Sequence, residues 1–233
     1  MRLAHPQLSE PVKFRENTIP VLVLEDPKLF RDWVFALSEQ AGGEAGPFVL
    51  SVNYEIIDCA DHLNVIRDFH DYPLDGRRLN NKFQSLLQTI MREELAHETD
   101  KLQNSIAEYL GRVRVGIGYP SENNEGEYAI QLLKALKFRP SLDDDTDIEK
   151  LIGYLDLNAG LLKAQCFILV CAKSYFSSAE LQELYKMVIY KKWNVLLVEP
   201  YIREHLPNES TIILDSNLCE LCTGVNDRLH SRQ

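Results

Sequence analysis

The first 75 residues alternate apolar runs with short polar segments, a pattern typical of strands and short helices. Val21–Leu24 is a continuous apolar run followed by two acids, as expected for a strand that is buried on both faces. Pro27 suits the first turn of a following helix, with Asp26 as its N-cap. Further strands are predicted over residues 48–52 and 62–69.

Residues 76–142 follow a different, helical pattern. Neither glycine nor proline occurs between Gly76 and Gly111, and apolar residues recur there at steps of three and four. This spacing predicts one amphipathic helix of roughly 35 residues, about 50 Å long, and that length suggests a protruding arm or an oligomeric contact. A loop over residues 116–127 and a shorter helix over residues 128–137 are predicted to follow.

Residues 143–233 return to an alternation of strands and helices. Two capping boxes, Thr146 with Glu149 and Ser177 with Glu180, predict the first turns of two helices. Buried strands are predicted over residues 166–171, 194–200 and 211–214.

This order of elements predicts an α/β fold with an inserted α-helical domain. Strands that alternate with helices form a mostly parallel sheet. The expected division is an α/β head domain, residues 1–75 and 143–233, and an inserted helical domain, residues 76–142.

Composition narrows the functional classes. Hydrophobic residues make up 45% of the 233 residues, enough for a sizeable core, and the formal net charge of −10 counts against nucleic-acid binding unless a local basic surface exists. No apolar run approaches ~20 residues and no signal-peptide pattern opens the chain, so a cytoplasmic protein is expected. The five cysteines are expected to be reduced thiols, because the CxxC at Cys219 and Cys222 lacks a second ligand pair.

The motifs in the sequence bear on two classes of enzyme, ATPases and metal-dependent nucleases. The strand that ends at Asp26 has the form of a Walker B strand, but no GxxxxGK[ST] phosphate loop occurs and the glycine cluster of residues 42–46 has no lysine. An ATPase is therefore not expected. A metal-dependent nuclease that uses acids at strand ends, namely Glu25, Asp26 and Glu199, stays open as an alternative function.

Acidic and basic residues are clustered in particular segments of the chain. One acidic group comprises Glu122, Glu125 and Glu127, and a second comprises Asp143, Asp144, Asp145 and Asp147. Such groups either bind a hard cation such as calcium or form a solvated loop and complement a helix dipole. Residues 67–92 and 112–139 each carry five Lys or Arg against three acids, a surplus that also fits an ordinary helix surface.

Four motifs, in this order, carry a resemblance to a known family. They are the segments Leu3–Pro11, Leu22–Phe30, Val195–Pro200 and Thr211–Ser216. Their combination resembles the small CRISPR type II-A adaptation proteins, which act in spacer acquisition.

The resemblance implies an architecture and an activity. It implies an α/β domain related to P-loop ATPases but without the phosphate loop, an inserted helical domain and a homotetrameric ring with calcium ions. The ring is expected to bind the ends of linear double-stranded DNA without sequence preference and without catalysis. Implied partners are other CRISPR adaptation proteins and the type II effector nuclease, and no membrane is implied.

The resemblance also suggests site residues. Near the family's ligand-bearing loop lie Glu122, Glu125 and Glu127, which we take as candidate calcium ligands. Lys134, Lys137 and Arg139 are the first candidates for DNA contacts, and Lys134 and Lys137 are expected to share one helix face. Further DNA candidates are Arg77, Arg78 and Lys82.

Overall fold

A computed structural model describes residues 1–120, 122, 127–142 and 145–223. The chain divides into two compact units. One, the α/β unit, combines Met1–Tyr72 with the described residues of Leu142–Gln233, and the other, the helical unit, is Pro73–Ser141.

Ten strands and eight α-helices are assigned in the described residues. The strands are β1 (Arg2–Ala4), β2 (Val12–Lys13), β3 (Ile19–Leu24), β4 (Val49–Val52), β5 (Glu55–Ile57), β6 (Leu63–Ile66), β7 (Cys166–Val170), β8 (Asn194–Glu199), β9 (Glu209–Leu214) and β10 (Glu220–Thr223). The helices are α1 (Pro27–Ala41), α2 (Cys59–His62), α3 (Arg77–Glu93), α4 (Ala96–Ile117), α5 (Tyr128–Ala135), α6 (Asp147–Leu157), α7 (Ala172–Tyr175) and α8 (Ser178–Lys191).

The α/β unit is built on a six-stranded sheet with the strand order β10-β9-β3-β8-β7-β6. The five strands from β9 to β6 run parallel, and only β10 is antiparallel to its neighbour. Every residue of β3 and β7 is buried, because layers cover both faces of a parallel sheet. The predicted α/β fold with a mostly parallel sheet and a helical insertion is confirmed.

A second, antiparallel sheet was not predicted. Its strand order is β2-β1-β4-β5, and its strands are only two to four residues long. Strands this short show too few alternations for a period of two to be visible in the sequence. The small sheet shares one core with the large one, through Leu3 and Leu50 on its side and Leu22 and Leu24 on the other.

Helix α1 supplies the middle of that shared core. Asp26 caps its first turn, as predicted, since the Asp26 carboxylate accepts from the Leu29 amide at 2.7 Å. Trp33 and Leu37 are buried in the core, and the Trp33 ring lies edge-on to Phe48, with ring centroids 5.5 Å apart. The side-chain amide of Gln40 accepts a hydrogen bond from the Phe48 amide at 2.8 Å and donates one to the Phe48 carbonyl at 2.9 Å. These two bonds fix the chain leading into β4 to α1.

The prediction of one helix across residues 77–110 is wrong, because the helix breaks at residues 94–95. The Leu95 amide donates to the carbonyl of Ile90 instead of Met91, and the Thr99 hydroxyl donates to the freed Met91 carbonyl at 3.2 Å. A side chain inserted into the ladder in this way bends a helix without glycine or proline. α4 then runs on to Ile117, past the predicted start of the loop at residue 116.

The predicted helix over residues 128–137 ends earlier, at Ala135. Lys137 is left-handed, with a φ of 55°, and the Phe138 amide bonds the Leu133 carbonyl. Together with the bond from the Lys137 amide to Lys134, this is a Schellman motif with lysine in the position that glycine usually takes. Lys134 and Lys137 therefore do not share a helix face, contrary to expectation.

Candidate functional site

The six cations predicted to contact DNA all belong to the helical unit, and all are exposed. Arg77, Arg78 and Lys82 lie in the first two turns of α3. Lys134 lies in the last turn of α5, and Lys137 and Arg139 follow that helix. Within the described part of the chain, Lys134, Lys137 and Arg139 form no ion pair, so their full charge is available to a ligand.

An aromatic pair positions the segment after α5. The rings of Phe83, in α3, and Phe138 are stacked, with centroids 6.0 Å apart and planes inclined by 28°. Lys82 precedes the first of these rings, and Lys137 and Arg139 flank the second. This ring pair thus brings the segment after α5 against α3, the helix that carries Arg77, Arg78 and Lys82.

The candidate calcium ligands are only partly covered by the structure. Glu122 and Glu127 are exposed, and Glu125 lies outside the described residues. The described residues contain no group of three or more His, Cys, Asp and Glu placed to hold a metal ion. The assignment of the metal to these three glutamates remains a prediction.

Glu127 nevertheless lies beside a cavity of about 260 Å³ within the helical unit, lined by polar and apolar side chains alike. Asp100 lines the same cavity, together with Thr99 and Gln103 from α4 and Arg92 from α3. Two carboxylates and neutral side-chain oxygens are the donor types that hard cations prefer. The sequence did not nominate Asp100, because it lies in a helix whose other polar residues follow the pattern of ordinary surface positions.

The described residues of the second acidic group, Asp145 and Asp147, lie at the start of α6. Both capping boxes form as predicted, with Thr146 and Ser177 as the N-caps of α6 and α8. Asp147 accepts a hydrogen bond from the Tyr175 hydroxyl at 3.0 Å and pairs with Lys150 at 3.5 Å. Asp143 and Asp144 lie outside the described residues.

The three acids of the alternative nuclease do not form an accessible group. The Asp26 carboxylate is used as the cap of α1, and Glu199 is 0% exposed. Glu199 pairs in register with Val23, two residues before Glu25, but its Oε1 accepts from the Lys173 amide at 2.9 Å. Burial of Glu199 and the use of Asp26 as a helix cap mean that the three acids do not form an open metal site in this structure.

Glu199 belongs instead to a buried ionic network. The Lys173 ammonium pairs with Glu209 Oε2 at 2.7 Å and donates to the Glu204 carbonyl at 2.6 Å, while the Tyr185 hydroxyl donates to Glu209 Oε1 at 2.6 Å. Glu199 Oε2 has no hydrogen-bond partner within the described residues. Burial raises the pKa of Glu199 to about 7, against the opposing effects of Lys173 and Arg203.

Sequence analysis missed Lys173 and Glu209. Each is a charged residue beside a strand, and neither spacing nor composition separates a buried charge from a solvated one. The only signal available is that both lie next to strongly apolar strands, at the end of β7 and the start of β9.

Comparison with known protein families gives one match. The family model described as CRISPR-associated protein (Cas_Csn2) matches residues 40–218, well over half of the chain. The chain belongs to the Cas_Csn2 family. No curated protein matches the chain.

The Cas_Csn2 match spans parts of both units and confirms the family suggested by the motifs. Two of the motifs, Val195–Pro200 and Thr211–Ser216, lie within the matched range, whereas Leu3–Pro11 and Leu22–Phe30 precede it. Membership gives this chain a role in CRISPR adaptation. Among the described residues, no helix is long and apolar enough to cross a membrane.

In this Cas_Csn2 chain, the raised pKa of the buried Glu199 predicts that the free energy of unfolding depends on pH. A folded-state pKa of about 7, above the ordinary 4.5, means that the folded chain holds this proton more tightly than the unfolded chain. The contribution of Glu199 to stability therefore declines as pH rises from 4.5 to 7 and is lowest above 7. Glu199→Gln keeps the oxygen that accepts from Lys173 and cannot ionise.

We expect Glu199→Gln to exceed the wild type in stability by about 3 kcal/mol at pH 8, with the difference shrinking towards pH 4.5. Urea unfolding at several pH values measures this difference. Glu183→Gln, an exposed position on α8, is the matched control and should show no such trend. A difference that does not change with pH would show that Glu199 is ionised in the folded chain throughout.

Proposed function

We propose that this chain forms a non-catalytic homotetrameric ring that binds the ends of linear double-stranded DNA, without sequence preference, during CRISPR spacer acquisition. The observation that carries the proposal is the cation group of the helical unit. Lys134, Lys137 and Arg139 are exposed and without ion pairs in the described residues, although the chain has a net charge of −10. Its partners would be other CRISPR adaptation proteins and the type II effector nuclease.

The chemistry of these cations favours phosphate over bases. Lysine and arginine side chains on an exposed surface neutralise backbone phosphates, which are identical at every base pair. Binding by phosphate neutralisation alone accounts for the proposed indifference to sequence.

A ring accounts for how an acidic chain holds DNA. Three cations in one subunit supply only a few phosphate contacts, which is too few for stable binding at physiological salt. Four copies would place about twelve such charges around one duplex, and contacts made by linked copies reinforce one another. A closed ring also explains a preference for free ends, because a duplex enters it only by threading.

Calcium would reduce the repulsion between acidic subunits. We propose Glu122, Glu125 and Glu127 as its ligands, with Asp100 as a further oxygen donor beside Glu127. A bound divalent ion neutralises two carboxylate charges, and carboxylate and carbonyl oxygens are the ligands that calcium prefers. The role of the ion in this proposal is assembly and charge compensation, with no chemical step.

The DNA proposal predicts the behaviour of a triple variant. Lys134→Ala, Lys137→Ala and Arg139→Ala together should weaken binding to every linear duplex at least tenfold at low salt and flatten the salt dependence. Each phosphate contact removed lowers the slope of log K against log salt by roughly 0.9. Fluorescence anisotropy with duplexes of unrelated sequence, over a salt series, measures both quantities.

The matched control removes three exposed cations from the α/β unit, through Lys28→Ala, Arg31→Ala and Lys186→Ala. It changes the net charge equally and should retain most of the affinity. Equal binding by the wild type and the Lys134, Lys137 and Arg139 variant would overturn the assignment, as would a strong preference for one base sequence.

The metal proposal predicts a loss of assembly. Replacing Glu122, Glu125 and Glu127 together by glutamine keeps the side-chain size but removes three carboxylates, so calcium should no longer promote the tetramer. Light scattering with and without calcium measures the mass in solution. The control is the second acidic group, with Asp143, Asp144 and Asp145 replaced by asparagine. If only that control loses the calcium response, the ligands belong to the second group.

A further inference from the structure

A small cleft opens in the α/β unit at the amino ends of β3 and β8. Its volume is about 250 Å³, and its apolar lining comprises Phe14, Ile19, Val188, Ile189 and Trp193. Two turns shape it, since Asn17 and Lys192 are both left-handed, with φ of 57° and 56°. We call this feature the amino-edge cleft.

Two exposed cations line the amino-edge cleft. Arg15 and Lys192 line it, both are exposed, and neither forms an ion pair within the described residues. Their neighbours Lys13 and Lys191 are already neutralised, by Glu10 and Asp156. Glu16 is the only acid among the described residues of the lining, which leaves a surplus of one positive charge. In a chain with a net charge of −10, this local surplus favours an anionic ligand.

The size and place of the cleft restrict the ligand further. Pockets for drug-sized molecules have volumes of roughly 300–1,000 Å³, so this cleft is suited to a single side chain. Small-molecule sites of parallel sheets lie at the carboxyl ends of the strands, and this cleft lies at the opposite edge. An aromatic and aliphatic floor offers no hydrogen bond or charge to a DNA phosphate, but it can pack against an inserted apolar side chain.

We propose that the amino-edge cleft docks a short acidic segment of a partner protein. The segment inserts one aromatic or long aliphatic side chain between Phe14 and Trp193, and its flanking carboxylates pair with Arg15 and Lys192. A buried anchor surrounded by charged contacts is the usual energetic arrangement of such interfaces. The surface belongs to the α/β unit and is distinct from the cations proposed to bind DNA, so the inference does not depend on DNA binding.

A labelled peptide tests the inference directly. The probe is a fluorescein-labelled peptide with one phenylalanine flanked on each side by three acidic residues, titrated with the full chain. We expect saturable binding with a Kd on the order of 100 µM. Replacing the peptide's phenylalanine by alanine, or its acids by lysine, should weaken binding at least fivefold. No saturable binding, or equal binding of the alanine peptide, would overturn the proposal.

Charge reversal of the cleft locates the site. Arg15→Glu with Lys192→Glu should weaken peptide binding at least tenfold, whereas the matched reversal on α1, Lys28→Glu with Arg31→Glu, should not. In NMR spectra the peptide should shift the indole signal of Trp193, at the cleft, and leave that of the buried Trp33 unmoved. An equal loss in the α1 control would show non-specific attraction and overturn the proposal.

A DNA titration separates this inference from the proposed function. The cleft variant should bind linear duplex DNA as the wild type does. If it lost DNA affinity as well, or if duplex DNA displaced the peptide, the amino-edge cleft would belong to a DNA surface and the partner inference would be wrong. A wild type that binds the peptide but not DNA would refute the proposed function alone.

Discussion

The burial of β3 on both faces is the constraint on which the α/β unit depends. All six of its residues are buried, and it pairs in parallel with β8 on one side and β9 on the other. Each large aliphatic side chain removed from water in this way contributes roughly 1.5–3 kcal/mol. One face of β3 is covered by α1 and by the small sheet behind that helix. Residues 1–57 therefore form a single core with strands that come late in the chain.

The two kinds of charge in the chain have opposite environments. Lys173 and Glu209 are buried and pair with each other at 2.7 Å, which offsets part of the cost of desolvation, whereas Glu199 is buried with one oxygen unpartnered in the described residues. Lys134, Lys137 and Arg139 are solvated and unpaired within the described residues. Buried charges of the first kind define the packing of α7 and α8 on the sheet, and exposed charges of the second kind are available to a polyanion.

Sequence patterns predicted the features that depend on neighbouring residues. The strand before Asp26, the N-cap at Asp26 and both capping boxes are encoded within six residues or fewer, and all three are confirmed. The parallel sheet followed from the alternation of strands and helices. For the N-cap and the two capping boxes, one hydrogen-bonded interaction between neighbouring residues determines the local structure.

Features that depend on distant or atypical partners could not be predicted. The helix break at residues 94–95 results from one hydroxyl, that of Thr99, which is indistinguishable in sequence from a surface threonine. Lys137 takes a left-handed conformation that glycine usually takes, so no residue type marked the end of α5. For the site, the family resemblance suggested the candidate cations, whereas the ring contact of Phe83 with Phe138, which places the segment after α5 against α3, required the tertiary structure.

The central claim is that the chain encircles DNA and loads from a free end. The most direct measurement compares, with calcium present, binding to a covalently closed circular duplex and to the same molecule cut once. We expect stable binding to the cut form and little binding to the closed form, because a closed ring can be threaded only from a free end. The two forms have the same sequence and the same number of phosphates, so only the ends differ. Equal binding to both forms would contradict the claim.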